Sequence, residues 1–501
     1  MNAALPMPIL VRPLSELLRG FAEQIPELSV SGVEMDSRRV VSGQLFLACR
    51  GRTHHGLAYL QQAMERGAAA VAWEPSPEQS APAARIPAIA VEQLSSRAGE
   101  IAARYWGHPS SRLFTVGITG TDGKTSTAHL VAQALERLGE RCAYIGTLGV
   151  GRIGELDAAT HTTPDPVALQ RVLALWLAQG ARAASMEVSS HALDQERVSG
   201  VEFDVAVLTN LGRDHLDYHG DLAHYAAAKH RLFLRPELSA VVINRDDAYG
   251  RAWAHEIEHG PECVLYGLDH GPLPSERHVL GCDLHLHADG LDFDVVSSWG
   301  RQRLNSRLLG RFNAYNLLAA LAVLLVKGVE LPQAVKALSQ ATTVPGRIEG
   351  FRGPAAAPLV VVDYAHTPQA LEQVLGALRA HARGKLYCVF GCGGDRDRGK
   401  RPLMGAAAAQ QSDVIIITDD NPRSEPPEAI VAEIRQGIPA ERPVRVIHDR
   451  AAAITTAVRE AGADDVVLVA GKGHENYQIY GKEVRDFSDR DFVSVLVAEA
   501  P

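Results

Sequence analysis

Apolar residues recur along this chain with two distinct periods. "RLFTVGIT", "RCAYIGT", "AASMEVS", "FDVAVLTN" and "SAVVINRDD" are short, almost continuously apolar runs, as expected of strands buried on both faces. Between the first two, "TAHLVAQALERLG" places apolar residues at helical spacing. Strand, glycine loop, helix and strand therefore follow one another from about residue 109 to 344, which predicts a parallel sheet with crossover helices. Within that stretch, residues 262 to 305 turn to short alternating strands, predicting a small antiparallel insertion, and a helix is predicted over 315–327. Residues 1 to about 108 predict a small α/β domain with a strand in "GQLFLACRG", a helix-like "AYLQQAMERGAAAVAW" and a loop at "EPSPEQSAPAARIP". After the linker "TVPGRIEGFRGPAAAP", a third series from 358 has strands at "PLVVVDY", "KLYCVFG", "SDVIIITDD" and "DDVVLVAG". Each runs straight into a polar or glycine-rich loop, and ligands of open parallel sheets bind outside the carboxyl ends of strands, so these loops mark a site. The fold class is α/β in three domains, 1–108, 109–344 and 345–501, the last a Rossmann-like doubly wound sheet.

Composition narrows the function more than the fold. A chain of 501 residues suits about three domains at ~150 residues each. The net charge of −9, with both signs interspersed, argues against a nucleic-acid binder or an anionic-membrane binder, so a bound anion needs a local basic pocket. "MNAALPMPILVRPLSELLRG" lacks the continuous apolar region of a signal peptide, and "LLAALAVLLV" is too short to span a bilayer, predicting a cytoplasmic protein without membrane insertion. Six scattered cysteines with no C-x-x-C pair fit reduced thiols. His285 and His287 share one face of an alternating strand, which reads as a solvated face and not a metal site.

The chemistry begins at "VGITGTDGKTSTAHL", residues 116–130. A strand ends at Ile118, glycines 120 and 123 let the backbone approach an anion, and a helix starting near Lys124 points free N–H groups at it. Lys124 can neutralise outer phosphates and Thr125 can offer a hydroxyl to magnesium. Ile118 stands where the common G-x-x-x-x-G-K form has glycine, which separates this loop from ordinary kinases and GTPases. Downstream, Glu187, Asp214 and His215 follow buried strands and come to the same sheet edge, where a hydrated magnesium could be held. Asp122 places an anion beside a triphosphate, which is tolerable if its side chain caps the helix.

Six ordered motifs spanning essentially the whole chain resemble the Mur ligases: G-T-x-G-K-T at 120–125, M-E-V-S-S-H at 186–191, T-N-L-x-x-D-H-L-D-Y-H at 209–219, G-x-F-N-x-x-N at 310–316, D-Y-A-H-T-P at 363–368 and G-K-G-H-E at 471–475. "MDSRRV" and "DDNPR" narrow the resemblance to members that add meso-diaminopimelate to UDP-N-acetylmuramoyl-L-alanyl-D-glutamate. The resemblance implies an ATP-dependent ligase of peptidoglycan precursor synthesis. It activates the D-glutamate side-chain carboxylate as an acyl phosphate, with magnesium at two sites, small-molecule substrates and a monomeric chain. The alternatives are an L-lysine-adding relative, a ligase like folylpolyglutamate synthase and, in another class, a nucleotide-binding regulator without catalysis.

The resemblance also distributes roles. Thr125, Glu187 and His215 ligate or position magnesium, Lys124 holds the γ-phosphate, and Lys229 is the lysine that the family carbamylates; without the resemblance Lys229 would read as a solvated helix lysine. The ATP loop comprises Gly120, Thr121, Asp122, Gly123, Lys124, Thr125 and Ser126. Adenine and ribose fall to Asn313, Asn316, Arg347 and Asp363, with ATP lying between domains that close over it. Either asparagine could equally cap the helix it enters. The uridine nucleotide falls to Met35, Ser37, Arg52, Thr53 and His54, and its sugar-peptide portion to Thr162, Thr163, Ser189, Gln195 and Arg197. The diaminopimelate pocket takes Arg396, Asp420, Asn421, Pro422, Arg423, Gly471 and Glu475. Pro422 makes Asn421 extended, and Pro426 and Pro427 suit a helix start, so Arg423 stands on a stiff loop from which a guanidinium can pair bidentately with the distal carboxylate that lysine lacks.

Overall fold

The computed structural model describes residues 10–51, 54–77, 79–158, 161–257, 260–268, 277–354 and 357–499. They form two compact units. The first runs to Leu280 and takes in Ser297–Trp299 and Leu318–Ala337; the second comprises Gly281–Val296, Gly300–Leu317 and the chain from Leu338.

The first unit holds two larger sheets besides the short pairing of Arg12–Pro13 with Ser29–Val30. Near the amino terminus, Val33–Glu34, Leu45–Ala48, Ala70–Trp73 and Ala88–Ala90 lie side by side in parallel. The apolar stretch "AYLQQAMERGAAAVAW" is not one helix: the helix stops at Glu65, Gly67 turns with φ +90°, and Ala70–Trp73 is a fully buried strand. Burial and pairing in the sheet override the helical propensity of its alanines there.

The main sheet places Phe114–Thr119 at its centre, between Ala183–Glu187 and Val205–Leu208, all parallel, with Cys142–Gly146 beyond the former and Ala240–Asn244 beyond the latter. Phosphate loop, Glu187 and Thr209 thus end neighbouring strands on the same edge. Glu262–Gly267 is not part of an antiparallel insertion: it pairs in parallel with Ala240–Asn244 and with the start of Arg277–His287. The rest of the predicted insertion is there: Arg277–His287, Gly290–Ser297 and Gly300–Ser306 are successive neighbours joined by two-residue turns, which makes them an antiparallel meander. A second antiparallel piece, Gly149–Arg152 with Glu155–Asp157, hairpins off Cys142–Gly146.

The second unit is built on a six-stranded sheet in the order Glu349–Phe351, Leu359–Asp363, Val466–Ala470, Leu386–Phe390, Val414–Ile417, Val444–Val446, parallel except for the first strand. Alternate strand residues feed two cores. Val361, Cys388 and Leu468 pack with the helices Pro368–Arg379, Lys400–Gln411 and Pro427–Arg435, whereas Val360, Val389 and Val467 pack with Arg450–Glu460 and Asp489–Ala498. Helices on both faces make it doubly wound, as the pattern predicts. Arg450 and Asp489, both fully buried, form a bidentate pair at 2.7 Å for each bond, tying the two helices of one face together. The helix predicted over 315–327 begins earlier, at Arg311, so Asn313 and Asn316 lie inside its first turns and do not cap it.

Candidate active site

In the first unit the chain turns out of Phe114–Thr119 through Gly120, at φ +148°, a backbone conformation that residues with a side chain avoid. Helix Lys124–Arg137 follows at once, with Gly123 as its N-cap and no side-chain cap. Asp122 therefore does not cap the helix. Its backbone is held instead: its N–H donates to Asn210 Oδ1 at 2.9 Å, and its carbonyl accepts from Thr209 Oγ1 at 2.6 Å and Asn210 Nδ2 at 3.1 Å. With no side-chain cap at its start, the helix can turn its first N–H groups to an anion.

Two lysines converge on one carbonyl. Lys124 Nζ donates to Gly120 O at 2.9 Å and to Thr121 O at 2.7 Å, and Lys229 Nζ donates to the same Gly120 O at 2.7 Å. Burial lowers the pKa of Lys124 from the usual ammonium value. Lys229, 1 % exposed, is lowered further, first by burial and then by the charge of Lys124. Its ammonium lies over the Tyr225 ring at 4.6 Å, and Tyr225 OH meets Thr121 Oγ1 at 3.2 Å.

Glu187 ends its strand with 1 % exposure, and its carboxylate is fully engaged. Oε1 accepts from Tyr144 OH at 2.7 Å and Thr147 N–H at 2.8 Å; Oε2 accepts from Thr125 Oγ1 at 2.8 Å and Thr147 Oγ1 at 3.3 Å. Gly146 leaves the room, since a Cβ there would collide with both Glu187 Oε1 and the Tyr144 hydroxyl. Tyr144 and Thr147 were not legible as site residues. The signal was faint: a tyrosine and a threonine at the end of a neighbouring apolar strand. The adjacent oxygens of Thr125 and Glu187 are hard donors of the kind magnesium takes, so the donor set fits that ion. His215 sits in a left-handed turn at φ +51°, half-exposed, with Nε2 3.4 Å from Asp214 Oδ2 and its ring 4.8 Å from that of His191. Among the described residues no group of three or more His, Cys, Asp or Glu side chains is arranged to hold a metal by itself.

The residues assigned to the sugar-peptide also assemble here. Thr162 Oγ1 accepts from Thr147 Oγ1 at 3.2 Å, and Thr163 Oγ1 donates to Glu187 O at 2.8 Å. Ser189 caps the short helix Ser190–Asp194, while Gln195 Oε1 accepts from Arg197 Nε at 2.9 Å and Gln195 Nε2 donates to Tyr218 OH at 2.9 Å. In the amino-terminal sheet region, Ser37 is buried against Gln62 at 2.7 Å, Met35 is half-buried and His54 is exposed. Arg52 and Thr53 lie outside the described residues.

In the second unit, Asn313 and Asn316 are buried and joined at 3.0 Å, with Asn313 Nδ2 donating to Leu309 O at 2.8 Å. Arg347 lies over the Tyr364 ring at 5.2 Å. The Asp363 carboxylate accepts the N–H groups of Ile348 and Ala365, each at 2.7 Å; burial raises its pKa, and those bonds work the other way. The carboxyl-end loops meet around Asp420–Arg423. Arg423, at φ +53°, donates from Nη1 to Gly394 O at 2.8 Å. A Cβ on Gly393 would lie 2.8 Å from Arg423 Nη1 and 3.6 Å from Arg396 Cγ, so the two arginines flank one glycine. Asn421 Nδ2 donates to Glu475 Oε2 at 3.1 Å, and a Cβ on Gly471 would come within 2.5 Å of Asp420 Oδ2. All the residues expected in this pocket are thus neighbours. Lys472, fully buried and 3.4 Å from Glu475 Oε2, is an additional member that the sequence reading passed over.

Three family models match the chain: a Mur ligase family catalytic domain over residues 29–106, a Mur ligase middle domain over 118–324 and a Mur ligase glutamate ligase domain over 346–473. A UDP-N-acetylmuramoyl-L-alanyl-D-glutamate–2,6-diaminopimelate ligase of Alkalilimnicola ehrlichii is 51% identical over 94% of this chain and 95% of its own length. A protein of the same name from Pseudomonas aeruginosa is 48% identical, covering 94% of this chain and 95% of its own. A solved structure of a ligase of that name superposes with a TM-score of 0.79 at 37% identity, covering 97% of this chain and 99% of that one. The chain belongs to the Mur ligase family.

Proposed function

We propose that this chain is an ATP-dependent amide ligase that joins meso-diaminopimelate to the D-glutamate side-chain carboxylate of UDP-N-acetylmuramoyl-L-alanyl-D-glutamate, in cytoplasmic peptidoglycan precursor synthesis. The observation that carries the reading is the presence in one chain of a phosphate loop with two lysines, Lys229 buried and Lys124 half-buried, on Gly120 O and a D-D-N-P-R loop that aims a guanidinium. The names of full-length relatives at about half identity point the same way. The division into domains at 1–108, 109–344 and 345–501 is supported by three separate family matches.

In the reaction, a carboxylate oxygen of D-glutamate attacks the γ-phosphorus of ATP and ADP leaves. The amine of diaminopimelate then attacks the acyl carbon, phosphate departs and the amine proton is lost. The first N–H groups after Gly123 hold the phosphates, and Lys124 exchanges its two loop carbonyls for γ-phosphate oxygens. Thr125, Glu187 and His215 would hold magnesium, which when bound neutralises charge on the phosphates. Burial and the charge of Lys124 lower the pKa of Lys229, which favours the neutral amine, and a neutral amine can add carbon dioxide with loss of a proton. The resulting carbamate would be the anion for a second magnesium. Asn313, Asn316, Arg347 and Asp363 are assigned to adenine and ribose, with Gly120 to Ser126 around the phosphates. Met35, Ser37, Arg52, Thr53 and His54 are assigned to the uridine nucleotide, and Thr162, Thr163, Ser189, Gln195 and Arg197 to the sugar-peptide. Arg423 and Arg396 would take the distal carboxylate of diaminopimelate, and Glu475 its ammonium, within the frame of Asp420, Asn421, Pro422 and Gly471. Catalysis is by a monomer.

The acyl phosphate makes a direct test. With heavy oxygen in the D-glutamate side-chain carboxylate, one labelled oxygen must appear in the released phosphate. Label retained wholly in the peptide product would exclude the mechanism.

A further inference from the structure

The hairpin Tyr477–Tyr480 with Glu483–Asp486 is a separate two-stranded sheet whose second strand is exposed throughout. Its first strand nevertheless carries a glutamine that is 6 % exposed. A buried amide must be satisfied, and the partners of this one are informative. Gln478 Nε2 donates to Asp419 O at 3.2 Å and to Asp420 O at 3.0 Å, the two carbonyls that open the loop carrying Arg423.

The rest of the loop is fastened to the same strand. Ile479 N–H donates to Asn421 Oδ1 at 3.0 Å, Arg423 N–H donates to Ile479 O at 2.9 Å, and Gly481 N–H donates to Arg423 O at 2.7 Å. Tyr480 OH donates to Asp419 Oδ2 at 3.1 Å. Arg423 holds a left-handed backbone at φ +53°, which a residue with a side chain keeps when its surroundings over-determine it. The backbone groups of residues 479 and 481 could come from almost any residue. The double donation from residue 478 requires a side chain of glutamine's length and chemistry.

We propose that Gln478 is a positioning residue for amino-acid selection: it locks the two carbonyls at the root of the loop so that the hairpin fixes the direction of the Arg423 guanidinium. This rests on the reading of the D-D-N-P-R loop as the diaminopimelate pocket. A bidentate pair depends on the plane of the guanidinium, so loosening the root misdirects Arg423 while leaving the phosphate loop untouched.

The test uses the full-length enzyme carrying Gln478→Leu, with Arg423→Ala alongside. For Gln478→Leu the KM for meso-diaminopimelate should rise roughly tenfold, as expected for removing two buried hydrogen bonds, while the KM values for ATP and the UDP-linked substrate stay within about twofold. The ratio of kcat/KM for meso-diaminopimelate to that for L-lysine should fall by a similar factor, because lysine offers Arg423 no carboxylate. An unchanged ratio, or a fall in kcat alone, overturns the proposal. If Arg423→Ala also leaves the KM for diaminopimelate unchanged, the pocket reading itself fails; if it raises that KM and Gln478→Leu does not, the positioning role alone fails. Should Gln478→Leu not fold, Gln478→Glu keeps the length while setting an acceptor against two carbonyls. It should lower the same ratio, and an unchanged ratio there is equally decisive.

Discussion

Replacing Glu187 by glutamine separates the charge of this side chain from its hydrogen bonding. Tyr144 OH and Thr147 N–H donate to Oε1, and a glutamine carbonyl can keep both bonds. The amide nitrogen would then face the hydroxyls of Thr125 and Thr147, which now donate at 2.8 and 3.3 Å and can turn to accept. Four bonds to a charge become four neutral ones, a net loss of about 1–2 kcal/mol, which lowers the melting temperature of a unit of this size by a few degrees. Activity should suffer more. Removing a charged group that acts on the phosphates through magnesium costs about 3–4 kcal/mol, or roughly a hundredfold to a thousandfold in kcat. The assay is phosphate release against magnesium concentration, beside thermal unfolding of the same preparation. Tyr144→Phe is the companion: it removes one donor and keeps the charge, so it should lose about 1 kcal/mol of stability and less than about tenfold in rate. Glu187→Gln retaining a rate within about tenfold of the parent at all magnesium concentrations would refute the role of its charge.

Other consequences are as specific. Lys229→Ala should abolish turnover, and a small carboxylate additive should restore part of it; a bare ammonium at Lys229 in the active enzyme would rule out the carbamate. Because Asp122 does not cap the helix and lies beside Lys124 and Lys229, Asp122→Asn should lower the KM for ATP, and an unchanged KM would mean its charge is not felt by the phosphates. Arg423→Ala should raise the KM for diaminopimelate at least tenfold, roughly the worth of a charged hydrogen bond, with ATP binding unaffected. His129 is 3 % exposed and burial lowers its pKa to about 4. The unfolded chain takes up this proton first, near pH 6.5, so stability should fall as pH drops from about 6.5 to 4, by about 3 kcal/mol in all. His129→Leu should flatten that dependence by close to one proton, and equal slopes for both proteins would contradict it.

The catalytic edge was legible in sequence because strand ends are local. Glu187, Thr209 and Lys124 each follow a short apolar run, and parallel pairing brings those ends together without further information. Glycines 120 and 123 announced a loop whose conformation only small residues tolerate. What stayed hidden depends on contacts between distant segments. Tyr144 and Thr147 meet Glu187 across a neighbouring strand, and Gln478 meets residues 419 and 420 from a hairpin with no periodic signal of its own. "AYLQQAMERGAAAVAW" misled because its alanines favour helix, and burial in a four-stranded sheet overrode that propensity at Ala70–Trp73. In sequence Glu262–Gly267 groups with the antiparallel insertion that follows it, whereas it joins the parallel sheet.

Discrimination between two amines separates a diaminopimelate-adding ligase from its alternatives. Phosphate release from ATP and magnesium should be measured with UDP-N-acetylmuramoyl-L-alanyl-D-glutamate present, adding either meso-diaminopimelate or L-lysine. Turnover is expected with diaminopimelate, and a kcat/KM for lysine lower by at least roughly a hundredfold, the worth of one bidentate charged contact. Turnover with neither amine would contradict the assignment of the reaction, and a preference for lysine would contradict the role given to Arg423.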